Sequence, residues 1–136
     1  MSLVRPLILA LAVLLGGCNT LPVRSLTSAS DARAANDEEG RVWVAAEDFD
    51  LALERQDALY PDPALQTYVQ SVGDHLFPEF RGVVRYQVLN SPDLNAFALG
   101  NGSIYINSGM LARLDNEAQL ATILAHEVTH FREQQT

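Results

Sequence analysis

The sequence predicts an α+β fold: N-terminal helices, a small sheet with a Gly-rich hairpin, and a last helix at the C-terminus. Three observations carry that prediction. Apolar residues recur at helical spacing from Leu65 to Leu76, the period switches to two at Val84, Tyr86 and Val88, and Gly100-Asn101-Gly102 separates two short β-like runs. A chain of 136 residues with 48% hydrophobic and 19% charged content suits one small domain. Its 9 basic residues, all arginine, stand against 17 acidic ones for a net charge of −8. No basic patch is available to neutralise phosphates, which argues against nucleic acid as a partner. The single cysteine cannot form an intramolecular disulfide.

The first segment reads as a targeting signal. Arg5 precedes an unbroken apolar run, Leu7 to Leu15, and small residues lead to Cys18. The run is well short of the roughly 20 residues that span hydrocarbon. Leu15-Gly16-Gly17-Cys18 resembles the lipobox of bacterial lipoproteins, in which the thiol is acylated and cleavage makes it the new N-terminus. The resemblance implies a signal peptide over 1–17, lipidation at Cys18, and, with Asn19 following, an outer-membrane destination facing the periplasm. Several acyl chains on one terminus give a stable anchor, at about 0.8 kcal/mol per buried methylene. Residues 18–40, rich in Ser, Thr, Ala, Asn and acids, read as a flexible tether, including Asp37-Glu38-Glu39 as a solvated cluster.

Folded-domain composition begins at Arg41 and runs to 136. Val42 to Leu59 reads as a helix with Ala46, Phe49 and Leu53 on one face. Tyr60-Pro61-Asp62-Pro63 breaks it and starts the next, because Asp62 can cap and Pro63 suits the first helical position. Leu65, Tyr68, Val69, Val72 and Leu76 then form an amphipathic stripe that Pro78 bounds. Val84 to Val88 is a strand. Asn95–Leu99 and Ser103–Asn107 pair as a hairpin whose glycine turn supplies positive-φ positions. Met110 to Leu114 is apolar, and Asp115 or Asn116 can cap a final helix. His75 flanks its stripe and faces solvent, while Trp43 and Tyr60 read as core edge.

His126-Glu127-Val128-Thr129-His130 stands on that final helix and fits H-E-x-x-H. Residues four apart project in nearly the same direction, so two imidazoles can grip one zinc ion. At about 100° per residue they lie well round from Leu120, Leu124 and Phe131, with Glu127 between the two directions. Zinc held by two histidines and a third ligand acidifies a water and polarises a carbonyl, and Glu127 is placed to act as general base. Glu133, one turn beyond His130, reads as an outer or solvated residue.

Together with Asn95-Ala96-Phe97-Ala98-Leu99, Ile104-Tyr105-Ile106, Gly109-Met110-Leu111 and Asp115-Asn116-Glu117-Ala118, the motif resembles the HtpX-like and CAAX-prenyl endopeptidase family of zinc metallopeptidases, with a weaker echo over Tyr60 to Leu76. The resemblance implies a zinc metalloendopeptidase acting on peptides or unfolded proteins in envelope quality control, with one Zn2+ per chain. It implies metal ligands His126 and His130, catalytic Glu127, and Asn95, Ala96, Phe97 and Ala98 as an edge strand that takes substrate by strand addition. The family's third ligand is a Glu on a later helix. No residue up to Thr136 takes that role, so 41–136 reads as the N-terminal part of a catalytic domain. A lipoprotein binding module that has lost the third ligand is the rival reading, and a membrane-bound zinc carrier a weaker one.

Overall fold

The structure is a computed structural model that describes residues 38–134; the signal sequence, Cys18 and the tether up to Asp37 lie outside it. Helix α1 spans Glu38–Arg55. It already includes Glu38–Gly40, which were expected to belong to the tether. It also stops earlier than Leu59. Asp57 takes φ 49°, its N–H bonds the Glu54 carbonyl and the Ala58 N–H bonds that of Leu53, the paired bonds of a Schellman stop. Leu59 instead forms a β-bridge with Leu89.

Helix α2, Pro63–Leu76, begins as the sequence predicts. The Asp62 carboxylate accepts the N–H groups of Ala64 and Leu65 at 2.9 and 3.1 Å. A 3-10 turn, Pro78–Phe80, leads to strand β1, Arg85–Leu89. Strands β2, Ala96–Ala98, and β3, Ser103–Asn107, form the expected hairpin. Within its turn only Gly102 has positive φ, and a side chain there would press on the Val83 carbonyl. A short helix α3, Ser108–Leu111, takes up part of the apolar run before helix α4, Glu117–Gln134.

The sheet order is β1-β3-β2, with β3 parallel to β1 and antiparallel to β2. All five residues of β3 are buried, as befits a central strand covered on both faces. Tyr86, Val88, Ile104 and Ile106 point to one face and form the core with Val69 and Val72 of α2 and Leu120, Leu124, Val128 and Phe131 of α4. The opposite face carries Arg85, Ser103 and Tyr105, and α1 docks there through Asp50. That buried carboxylate accepts hydrogen bonds from Arg85 (2.6 Å), Asn101 (2.8 Å), Ser103 (2.7 Å) and Tyr105 (2.8 Å). On α1, then, Asp50 lies deeper than Phe49, which the helical spacing had placed inward but which is 43% exposed.

The two sheet edges differ. Along β1, Gln66 and Gln70 of α2 substitute for a neighbouring strand: the Gln66 amide bonds the Val88 N–H and C=O, and the Gln70 amide bonds the Tyr86 N–H and the Val84 C=O, at 2.8–3.2 Å. Along β2, the Asn95 carbonyl and the Leu99 N–H bond to β3, so the intervening parity turns the N–H and C=O of Ala96 and Ala98 outward. Among the described residues, then, one edge is sealed and the other is open.

Two tyrosines in these layers titrate abnormally. Burial pushes the Tyr86 hydroxyl up to about 12, with Asp74 and Glu79 adding to the effect. Burial, followed by the hydrogen bond to Asp50, raises Tyr105 as well. The fold thus holds both phenolic protons above the ordinary value near 10, so their stabilisation is complete below about pH 10 and is lost as pH rises above it, through about 12 for Tyr86. The urea midpoint is expected to be flat up to about pH 9 and to fall beyond about pH 10. Tyr86→Phe should reduce that fall at little cost near neutrality, because the Tyr86 hydroxyl is buried without a hydrogen-bond partner among the described residues. An unchanged midpoint at about pH 11 in the wild-type chain would refute the assignment.

Candidate metal centre

Helix α4 is held at its start by Asn116, whose side-chain oxygen accepts the Gln119 N–H at 3.1 Å, while the Gln119 side-chain oxygen accepts the Asp115 N–H at 2.7 Å. This reciprocal arrangement is close to a capping box. Leu120, Leu124, Val128 and Phe131 bury one side of the helix against the sheet and α2. At roughly 1.5–3 kcal/mol for each large apolar side chain, that burial fixes the helix's rotation. His126 and His130 consequently emerge on the exposed side, one turn apart.

The two imidazoles converge. Their rings stand nearly perpendicular at 88° with centroids 4.5 Å apart, and their Nε2 atoms approach to 3.0 Å. That approach requires at least one Nε2 to be unprotonated, with its lone pair directed into the gap. A tetrahedral zinc ion with bonds of about 2.0–2.1 Å separates two nitrogens by about 3.3 Å, so a small opening of the pair would admit it. The imidazoles therefore fit zinc as two of its ligands. The Nδ1 atom of His130 lies 3.6 Å from the Glu133 carboxylate, which is 70% exposed. Glu133 thus sits behind His130, on the ring nitrogen that faces away from the convergence point. Among the described residues no group of three or more His, Cys, Asp or Glu side chains is placed to hold a metal.

Glu127 is only 7% exposed although it neighbours two exposed histidines. Its carboxylate has no hydrogen bond or ion pair among the described residues. Strand β2, expected from the resemblance to take substrate, occupies the sheet edge left open among the described residues and packs against α4, with Asn95 immediately before it. His75 is exposed, as the sequence suggests, and Trp43 and Tyr60 are half-buried. Sequence reasoning passed over Gln66 and Gln70, the side chains that decide which edge stays open. Their spacing of four, beside the apolar stripe of α2, was the available signal.

Two histidines four residues apart on one helix, with a glutamate directly after the first, form the pattern of metallopeptidases of the H-E-x-x-H class. The sequence profile of peptidase family M48 matches residues 61–136, and the chain belongs to that family. It is 33% identical over 91 residues to the beta-barrel assembly-enhancing protease of Yersinia pestis, covering 64% of this chain and 19% of that protein. The protein of the same name from Escherichia coli K12 is 35% identical over 75 residues, 53% of this chain and 15% of its own length. The mitochondrial metalloendopeptidase OMA1 of Bos taurus is 42% identical over 43 residues, 32% of this chain and 8% of its own length. The chain therefore spans about a fifth or less of the curated relatives it matches.

The Asn116 cap can be tested without reference to metal. Asn116→Ala removes the oxygen that holds the first turn of α4 and should cost about 1 kcal/mol. The measurement is the shift in urea midpoint at constant m-value, and no shift would show that the cap does not support the helix.

Proposed function

We propose that the protein is a zinc-dependent metalloendopeptidase that cleaves peptides or unfolded proteins, anchored by lipid at Cys18 in the bacterial envelope and facing the periplasm. The observation that carries this reading is the convergence of His126 and His130 at 3.0 Å beside the buried Glu127. Membership of peptidase family M48 supports it, as do relatives named as proteases and metalloendopeptidases. The bacterial relatives are named as beta-barrel assembly-enhancing proteases, which fits the proposed role in quality control of envelope proteins. In this proposal residues 1–17 are the signal, 18–40 chiefly tether, and 41–136 the N-terminal part of the catalytic domain, with the third ligand supplied by a later Glu.

His126 and His130 would hold a zinc ion through their Nε2 atoms, with Glu133 steadying the His130 ring from its Nδ1 side. Zinc, when bound, supplies a Lewis acid that acidifies water and polarises the scissile carbonyl. Glu127 accepts the proton of the attacking water at a carboxylate oxygen and passes it to the departing amine. The open edge of β2 aligns the substrate, with the backbone groups of Ala96 and Ala98 pairing to an extended peptide and Asn95 and Phe97 flanking them. A lipoprotein binding module without catalysis is the second reading.

Single substitutions in the full-length protein separate the roles. His126→Ala and His130→Ala should lose zinc and casein cleavage together. Glu127→Gln should retain zinc near the wild-type content while cleavage falls roughly 10²–10⁴-fold. Zinc per chain is counted by elemental analysis. Loss of zinc from Glu127→Gln would overturn its role, and a zinc-loaded wild type that cuts nothing would favour the binding module. Anchoring is tested separately: Cys18→Ala should abolish labelling by radioactive palmitate and release the protein from sedimented membranes, whereas equal labelling of both forms would exclude lipidation at this residue.

A further inference from the structure

The open edge of β2 borders an apolar groove that the proposed chemistry does not use. Val42, Ala45, Ala46 and Phe49 of α1 form its wall, and Leu99 and Gly100 close it from the hairpin, enclosing about 390 Å³. The four α1 residues fall at helical spacing on one stripe of the helix. Val42 and Phe49 are 47% and 43% exposed, although each is large and apolar. Phe49 does not stand alone. Its ring meets Phe97 edge-on at 6.1 Å, and Phe97 lies against Tyr105 at 5.4 Å, so a row of rings runs from the buried centre of the sheet to the groove.

We propose that this groove receives alternate side chains of an extended peptide paired to β2, and that it selects large aliphatic or aromatic residues at those positions. The inference rests on the strand-addition reading given above and adds a specificity to it. Three features of the chain identify the occupant. The outward N–H and C=O groups of Ala96 and Ala98 call for a backbone partner at the edge beside the groove. A strand paired there lies about 4.8 Å beyond β2, and its side chains point alternately to the two faces of the sheet. On one face they pass α4; on the other they pass the α1 wall, where Phe97 already points. The wall offers no charged group, so an acidic or basic side chain would lose hydration without gaining a partner. The opposite edge cannot take the same peptide, because Gln66 and Gln70 occupy the backbone groups of β1.

The test measures binding rather than turnover. The full chain carrying Glu127→Gln is titrated into two short labelled peptides that differ only in having leucine or serine at alternate positions, followed by fluorescence anisotropy. The leucine peptide should bind at least about tenfold more tightly, a difference of about 1.4 kcal/mol. Phe49→Ser and Val42→Ser should each shrink that advantage several-fold, and Phe49→Leu should restore most of it. N-methylation of the amides that face β2 should weaken both peptides. Equal affinity for the two peptides, an advantage that survives Phe49→Ser combined with Val42→Ser, or indifference to N-methylation would each overturn the proposal. So would a dimer of the chain that Phe49→Ser dissolves, since a second copy would then fill the groove. Cleavage by the protein with Glu127 restored reports separately on the protease reading, and its absence would leave a peptide-binding difference standing.

Discussion

A buried carboxylate must be surrounded by donors, and the way Asp50 meets that requirement organises half of the molecule. Its four partners come from three places: Arg85 on β1, Asn101 in the hairpin turn, and Ser103 and Tyr105 on β3. Asn101 also accepts the Ser103 N–H at 3.1 Å, so the turn that sets the β2–β3 register is tied to the same carboxylate. Helix α1 consequently cannot slide along the sheet without leaving the buried Asp50 carboxylate and Tyr105 hydroxyl unpaired, each costing about 1–3 kcal/mol. With α1 fixed, the wall of the groove beside β2 is fixed as well.

The other face is organised by apolar packing, and there the rotation of α4 is the quantity that matters. Leu124 and Val128 are fully buried, and Leu120 and Phe131 nearly so. Phe131 further meets Phe80 edge-on at 5.8 Å, and Arg132 lies over the same Phe80 ring at 5.9 Å. A turn of the helix that moved the histidines would pull these side chains out of the core. The imidazole pair is therefore preorganised by residues that never touch it.

Most of this was legible in the sequence where a local rule decides the outcome. The Asp62 cap, the Pro63 start, the alternation through β1, the Gly102 turn and the exposed pair His126 and His130 each follow from a few adjacent residues. What was not legible depends on partners distant in the chain. Nothing near Asp50 marks it as buried, since its donors lie 35 to 55 residues away. The parallel pairing of β1 with β3 is likewise a tertiary outcome. Gln66 and Gln70 look like ordinary polar positions until the strand they seal is beside them. The early end of α1 turned on Asp57 accepting a left-handed conformation, which apolar periodicity cannot report.

Asp50 and Glu127 are both buried carboxylates, and the contrast between them separates structure from chemistry. Asp50, 6% exposed, has four donors, three on Oδ2 and one on Oδ1, all supplied by the sheet and its hairpin turn. Glu127, 7% exposed, has no partner among the described residues and neighbours the two converging imidazoles. Stability alone would favour an apolar residue at a position so close to Leu124 and Val128. Glu127 holds no such set of donors among the described residues, so its carboxylate stays available to a group from outside the domain, in keeping with the general-base role proposed for it. The burial of Leu120, Leu124, Val128 and Phe131 along the other side of α4 fixes where that carboxylate stands relative to the two imidazoles.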